Sequence, residues 1–426
     1  MQTNLSEEFR GTPDGARAEA NLRKCVHCGF CLATCPTYQL LGDELDSPRG
    51  RIYLVKQVLE GQRPTRSTQR HFDRCLTCRN CETTCPSGVD FGTLIDIGRR
   101  IVEERVERPP PQRAARWLLR EGLTSTALGP AVGVGKLARP FLPQALQAKM
   151  PPSELGAGHA RSWPTREHPR KMLLLAGCVQ PHLLPNINRA TARVLDAIGI
   201  QTIIAPKAGC CGAIRAHLAD HEGALADMRR NIDAWWPYVQ DAGHGPGVEA
   251  IVMNASGCGV TVKEYRQYLA HDPRYAEKAR RISDRTRDLC EIASDLLPHL
   301  QERLRAAKAP RVAVHLPCTL QHGQRLPGAL ESLLRALGFD VQTAQQEHHL
   351  CCGSAGTYSI LEPELARQLR DRKLSHLRAL HAPVIVSANV GCIQHLQSGT
   401  DIAVRHWIEL VDDLLFSQET SKAFGR

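Results

Sequence analysis

Two four-cysteine motifs stand near the N-terminus. Cys25, Cys28, Cys31 and Cys35 follow the spacing C-x2-C-x2-C-x3-C-P, closed by Pro36, and Cys75, Cys78, Cys81 and Cys85 repeat it, closed by Pro86. Three thiols at two-residue gaps can wrap one iron-sulfur cube within a tight loop, while the fourth leaves on a following helix and reaches the neighbouring cube. The spacing predicts two 4Fe-4S clusters, one held by Cys25, Cys28, Cys31 and Cys85 and the other by Cys75, Cys78, Cys81 and Cys35. Zinc sites also use C-x2-C pairs, but they leave the third cysteine and the terminal Cys-Pro, each present twice, without a purpose.

The remaining cysteines fall into a repeat. MLLLAGC, ending at Cys178, answers to VAVHLPC, ending at Cys318; AGCCGA around Cys210 and Cys211 answers to HLCCGS around Cys351 and Cys352; AIVMNASGC, ending at Cys258, answers to VIVSANVGC, ending at Cys392. The offsets are 140, 141 and 134 residues, the signature of two homologous domains. A disulfide between sequence neighbours is strained, since a relaxed bridge spans roughly 4.4 to 6.8 Å between Cα atoms against about 3.8 Å across a trans peptide. The paired thiols therefore read as ligands that leave a strand end together and approach one centre from different directions. The expected sets are Cys178, Cys210, Cys211 and Cys258 in the first copy, and Cys318, Cys351, Cys352 and Cys392 in the second.

Elements that could position these ligands are visible. In DELDSPRGRIYLVKQVLEG, Ser47 is suited to cap a helix, Pro48 to its first turn, and Ile52, Val55 and Leu59 recur at helical spacing before Gly61. Arg49 and Arg51 are candidates to donate toward a cluster or a partner, or simply to face solvent. In the repeats, short β-rich runs alternate with helical stretches such as NINRATARVLDAIG and PGALESLLRALG, which implies parallel sheets with ligands at the carboxyl ends of the strands. The expected fold is a helical two-[4Fe-4S] ferredoxin-type module over residues 1–108, a basic proline-rich connector over 109–170, and two homologous α/β domains over 171–305 and 306–426.

Composition narrows the setting. The chain has 426 residues, 17 cysteines and a formal charge of +10, with no apolar run of membrane-spanning length and a polar N-terminus. In a cytoplasmic protein so many thiols argue for metal or redox ligation, and an odd total forbids complete pairing. From Arg108 to Lys171 eleven Lys or Arg face three Glu and no Asp, a surplus of eight, so the basicity belongs largely to the connector. Its stretches RAARWLLREGL and ARPFLPQALQAKM, with Trp117, Leu118, Leu119, Phe141 and Leu142, leave open a peripheral contact with anionic lipid or a connector packed along its own protein. No nucleic-acid partner is expected. GPAVGVGK fails as a phosphate loop because Gly129 and Gly135 are one residue too far apart and Leu137 stands where Ser or Thr is required.

CVHCGFCLATCPTYQLLGDELDSPRGRIYLVKQVLEG, RCLTCRNCETTCPSGV, NIDAWWP, ASGCG, LCCGSAGTY and VRHWIEL together resemble the iron-sulfur subunits of bacterial glycolate oxidase. The C-terminal repeats also resemble the wider cysteine-rich CCG family, shared with heterodisulfide reductase, anaerobic glycerol-3-phosphate dehydrogenase and lactate-utilisation proteins. The resemblance implies a complex in which FAD-bearing flavoprotein subunits oxidise glycolate to glyoxylate and this chain passes electrons toward quinone or another respiratory acceptor. It also leaves room for a related lactate or glycerol-3-phosphate dehydrogenase, or for thiol redox chemistry like that of heterodisulfide reductase. The fuller family pattern ends in C-x-x-C, whereas the first member of that pair is Ala255 in one copy and Asn389 in the other. A further iron-sulfur cluster, a zinc ion and an empty site all remain open for each CCG domain.

No residue is assigned a catalytic role. A G-x-G-x-x-G after a strand and a base constellation for dehydrogenation are both missing, so the isolated chain is not expected to oxidise glycolate. It is expected in the cytoplasm or peripherally on the cytoplasmic face of the inner membrane. His217 and His221 are spaced for one helix face, His348 and His349 precede the second cysteine pair, and Cys290 fits no repeat position and reads as a small buried hydrophobe.

Overall fold

The structure, a computed structural model, describes residues 1–125, 127–137, 162–240, 247–304 and 309–423. Six helices build the N-terminal part: α1 (Pro13–Lys24), α2 (Pro36–Leu41), α3 (Pro48–Leu59), α4 (Arg66–Asp73), α5 (Asn80–Thr84) and α6 (Phe91–Arg105). Helix α3 forms where its signals place it. Ser47 Oγ accepts from Gly50 N at 2.9 Å, Pro48 opens the first turn, and Ile52, Val55 and Leu59 are buried against Leu22, Phe72, Leu94, Ile95 and Ile101. Gly61 follows with φ +94°, a conformation open to glycine without steric cost.

Buried charge locks this module. Arg51, with 1% of its surface exposed, donates to His71 O at 2.8 Å, Thr37 Oγ1 at 3.0 Å and Asp46 Oδ1 at 3.2 Å, while Arg74 reaches Asp46 Oδ2 at 2.9 Å. Arg51 is thus an internal strut rather than a solvated residue at a helix start. An interior guanidinium is tolerated only when its donors are satisfied in this way.

Beyond α6, the connector carries α7 (Pro110–Thr124) and α8 (Leu128–Leu137). Helix α7 lies along the protein, with Arg116 3.4 Å from Asp73 and Glu121 2.9 Å from Arg215 of the first repeat, so Arg116 faces inward while Trp117 and Leu118 are exposed. GPAVGVGK falls inside α8. ARPFLPQALQAKM, with Phe141 and Leu142, lies outside the described residues.

Each repeat is a four-stranded, wholly parallel sheet. The first contains β1 (Arg170–Leu174), β2 (Ile200–Ile203), β3 (Ile251–Met253) and β4 (Thr286–Asp288) in the order β2-β1-β3-β4; the second contains β5 (Arg311–Val314), β6 (Asp340–Thr343), β7 (Val384–Ser387) and β8 (Ala403–His406) in the order β6-β5-β7-β8. Register repeats as well: Leu173 pairs with Ile251 as Ala313 pairs with Ile385. The fold class is therefore as the sequence implies, a helical ferredoxin-type module followed by two α/β domains with parallel sheets. In such sheets the crevice between β1 and β3, or β5 and β7, is the topological switch point where ligands collect.

The repeats are fused through a shared core. Helix Asn186–Ala197 of the first packs on helix Trp407–Ala423 of the second, and Arg193 forms a buried ion pair with Asp412 at 2.6 Å. The segments after β3 and β7 meet as well, with Ser256 N donating to Ala388 O at 3.1 Å and Gly257 N to Asn389 Oδ1 at 3.4 Å. Among the described residues, no helix is long and apolar enough to cross a membrane.

Candidate metal centres

The two N-terminal motifs adopt matching loops. His27 and Thr77, each between the first two cysteines, have φ of +56° and +53°, and Gly29 and Arg79, just after the second, have φ of +83° and +61°. Alternating left-handed residues curl each loop, leaving Cys25, Cys75 and Cys81 buried and Cys28 exposed. Thr77 N also donates to Cys75 Sγ at 3.4 Å. Cys35 caps the N-terminus of α2, as a fourth ligand leaving on a helix should, whereas Cys85 ends α5 and is followed by a turn before α6.

Two adjoining voids result. Cys25, Cys28, Cys31 and Cys85 line the first, together with Arg49, and Cys35, Cys75, Cys78 and Cys81 line the second, together with Arg51. Pro48, Cys81 and Phe91 border both, so a single wall of side chains separates them. The fourth cysteine of each motif thus sits with the first three of the other. Desolvation pushes the Cys31 pKa up to about 11 and those of Cys78 and Cys81 well above the usual thiol range, so these groups hold protons that a metal must displace. Cys75 also lines a cavity of about 720 Å³ that carries Arg66, Arg70, Arg99, Arg108 and Arg116 together with Asp73 and Glu362, Asp73 being paired to Arg108 and Arg116.

The second void touches the second repeat. Cys78 packs with Cys318 around the buried cluster of Leu76, Cys351, Tyr358, Leu365, Ala366 and Leu369, and Asn80 Nδ2 donates to His349 O at 3.3 Å. In that repeat Cys318 and Cys351 sulfurs lie 3.7 Å apart, and Cys352, Cys392 and His315 offer ligand atoms all within 4.8 Å of one another. In the first repeat Cys178 and Cys210 sulfurs are 3.4 Å apart, and Cys211 interacts with both Cys210 and Cys258. All four thiols of each set therefore converge at the switch point. One sulfur pair in each set is thus near the roughly 3.8 Å that separates ligands about 2.3 Å from one tetrahedral ion, and among the described cysteines and histidines the group of three ligand atoms mutually within 4.8 Å is His315, Cys352 and Cys392.

Placement differs from expectation in one respect. The paired cysteines do not leave a strand end directly: β6 ends at Thr343 and Cys351 comes eight residues later, on a loop held down from below. Lys373, 4% exposed, donates to Glu347 O at 2.5 Å and His348 O at 3.3 Å, whereas in the first repeat Asn231 donates to Cys210 O at 2.7 Å and accepts from Gly209 N. Cys258 and Cys392 lie in the first turns of helices Ser256–Lys263 and Val390–Gln397. Asn389 Nδ2 donates to Cys392 Sγ at 3.4 Å.

Other candidates are placed as follows. His348 and His349 offer backbone carbonyls to Lys373 and Asn80. His217 ends one helix and His221 begins the next, so they do not share a helix face. Cys290 is fully buried in the hydrophobic core. Sequence reasoning missed His315, Ser387 and Lys373. The available signals were the mismatches of His315 with Leu175 and of Ser387 with Met253 when the two copies are laid over each other.

Fold and cysteine geometry define an iron-sulfur protein class, a two-cluster module joined to two cysteine-rich domains. The profile of the 4Fe-4S dicluster domain matches residues 21–89, and that of the cysteine-rich domain, CCG, matches 172–263 and 312–397. The chain is 53% identical to the glycolate oxidase iron-sulfur subunit of Escherichia coli (strain K12), covering 97% of this chain and 99% of that protein. It is 29% identical to the probable glycolate oxidase iron-sulfur subunit of Bacillus subtilis (strain 168), over 93% and 92% of the two chains, and 25% identical to lactate utilization protein A of Bacillus velezensis, over 57% of this chain and 99% of that one. This chain belongs to the family of glycolate oxidase iron-sulfur subunits.

Proposed function

We propose that the chain is the electron-transfer subunit of a glycolate oxidase, taking electrons from flavoprotein partners that convert glycolate to glyoxylate and delivering them toward quinone or another respiratory acceptor. The observation that carries this reading is the contiguity of the thiol sets. The first two voids share Pro48, Cys81 and Phe91; Cys78 of the second and Cys318 of the second repeat pack against one buried cluster that includes Cys351; and the segments ahead of Cys258 and Cys392 are hydrogen-bonded to each other.

Cys25, Cys28, Cys31 and Cys85 would hold one 4Fe-4S cluster, and Cys75, Cys78, Cys81 and Cys35 the other. When bound, such clusters exchange one electron at a time. Arg49 and Arg51 line the two voids and offset the negative charge of four thiolates. Cys178, Cys210, Cys211 and Cys258, and Cys318, Cys351, Cys352 and Cys392, would hold a further metal centre in each CCG domain, of iron-sulfur or zinc type. FAD belongs to the partner subunits, and the complex works in the cytoplasm or against the cytoplasmic face of the membrane.

The test is glycolate-dependent dye reduction with anaerobically purified protein. Reduction only after the flavoprotein subunits are added, with roughly eight or more irons per chain, is the expected result. Turnover by the isolated chain, or a colourless zinc protein, overturns the reading.

A further inference from the structure

The two repeats part company on the floor of their metal sites. In the first, Leu175 follows β1 and Met253 ends β3, both buried and apolar. At the corresponding places of the second stand His315, just after β5, and Ser387, ending β7, both buried as well. The same backbone is thus built without this polar pair in one copy and with it in the other.

His315 Nδ1 lies 2.9 Å from Ser387 Oγ, while Nε2 has no hydrogen-bond partner among the described residues. His315 is 2% exposed. Leaving a buried polar atom unpaired is destabilising, and the first repeat has leucine at the same place. If Ser387 accepts the Nδ1 proton, the lone pair is left on Nε2, the arrangement in which an outer partner fixes a metal-binding histidine. A ring nitrogen of His315 is within 4.8 Å of the sulfurs of both Cys352 and Cys392.

We propose that His315 is a metal ligand of the second CCG domain, which therefore has a mixed donor set in which this imidazole joins the thiolates of Cys352 and Cys392, while the first domain has thiolates only. Ser387 acts as the positioning residue that orients the ring. This rests on the reading that the CCG domains hold metal, but not on which substrate feeds electrons to them.

The test uses the full-length protein purified anaerobically after growth on histidine labelled with 15N in the ring. If the second centre contains iron, pulsed paramagnetic resonance of the reduced protein shows a directly bound ring-nitrogen coupling that His315→Ala abolishes. If it contains zinc, zinc-edge X-ray absorption shows nitrogen in the first shell, again lost in His315→Ala. A sulfur-only first shell in the unsubstituted protein, a nitrogen signal that survives His315→Ala, or the absence of any metal whose loading depends on Cys352 overturns the proposal. The first of these is read without any variant, so a misfolded His315→Ala protein does not rescue the idea. Failure of glycolate-dependent reduction with the nitrogen signal intact would count against the electron-transfer reading alone.

Discussion

The two CCG domains share strand order, register and the placement of four thiols, yet their surroundings diverge. Beneath the first set stand the apolar Leu175 and Met253, with Asn231 holding the loop before the cysteine pair and the buried Asp227, ion-paired to Arg215 and Arg230, beside Cys210. Around the second they are His315, Ser387 and the buried Lys373. Desolvation lowers the Lys373 pKa, and nearby Cys352, Cys351 and Cys318 work against that shift when ionised. The second set is also the one that packs against Cys78 of the N-terminal module. The duplicated scaffold places four thiols alike in both copies but sets different groups beneath them, so sequence repetition does not make the sites equivalent.

The difference can be broken most severely at the thiols. Cys351→Ser should prevent electrons entering from the N-terminal module from reaching either CCG domain, abolishing acceptor reduction, whereas Cys210→Ser should leave the second domain reducible. Rapid-freeze paramagnetic resonance after mixing with reduced flavoprotein distinguishes the two, and identical behaviour of the variants would contradict the adjacency. Next comes the seam between the repeats. Asp412→Ala removes the carboxylate of the buried Arg193–Asp412 ion pair and should destabilise the fused pair by about 3–5 kcal/mol, read as a lower denaturant midpoint.

A finer comparison concerns the glycine after each cysteine pair. Gly353 has φ +88° and Gly212 φ +93°, a region that costs other residues about 1–2 kcal/mol. An added Cβ at Gly353 would stand 2.5 Å from Ala366 O, against 3.1 Å from Ala224 O at Gly212. Gly353→Ala should therefore lower metal occupancy and thermal stability more than Gly212→Ala does, a ranking that metal analysis and melting curves can reverse. The smallest effect is expected at Cys290, where Cys290→Ala should cost about 1 kcal/mol and leave metal content unchanged.

Much of this architecture was legible beforehand because it depends on local rules. Ser47 and Pro48 start α3 through backbone capping, Ile52, Val55 and Leu59 mark its buried face, and the sheet-helix alternation with repeated cysteines announces a duplicated parallel fold. The loop carrying Cys351 and Cys352 was misplaced at a strand end because β-rich composition does not say where hydrogen-bonded pairing stops. Arg51 was not recognisable as an internal strut, since its partners His71 and Asp46 are brought together by the packing of α3 and α4. Arg116 likewise turns toward Asp73, a carboxylate on another helix.

Sequence alone determined which atoms are available and in what rhythm: sixteen thiols in four sets, spaced so that chain connectivity restricts how they can share centres. Only the tertiary structure decided which sets are neighbours and what lies beneath them. Those relations arise from side chains far apart along the chain, such as Cys78 with Cys318 and His315 with Ser387, meeting across packed elements, and no local spacing encodes them.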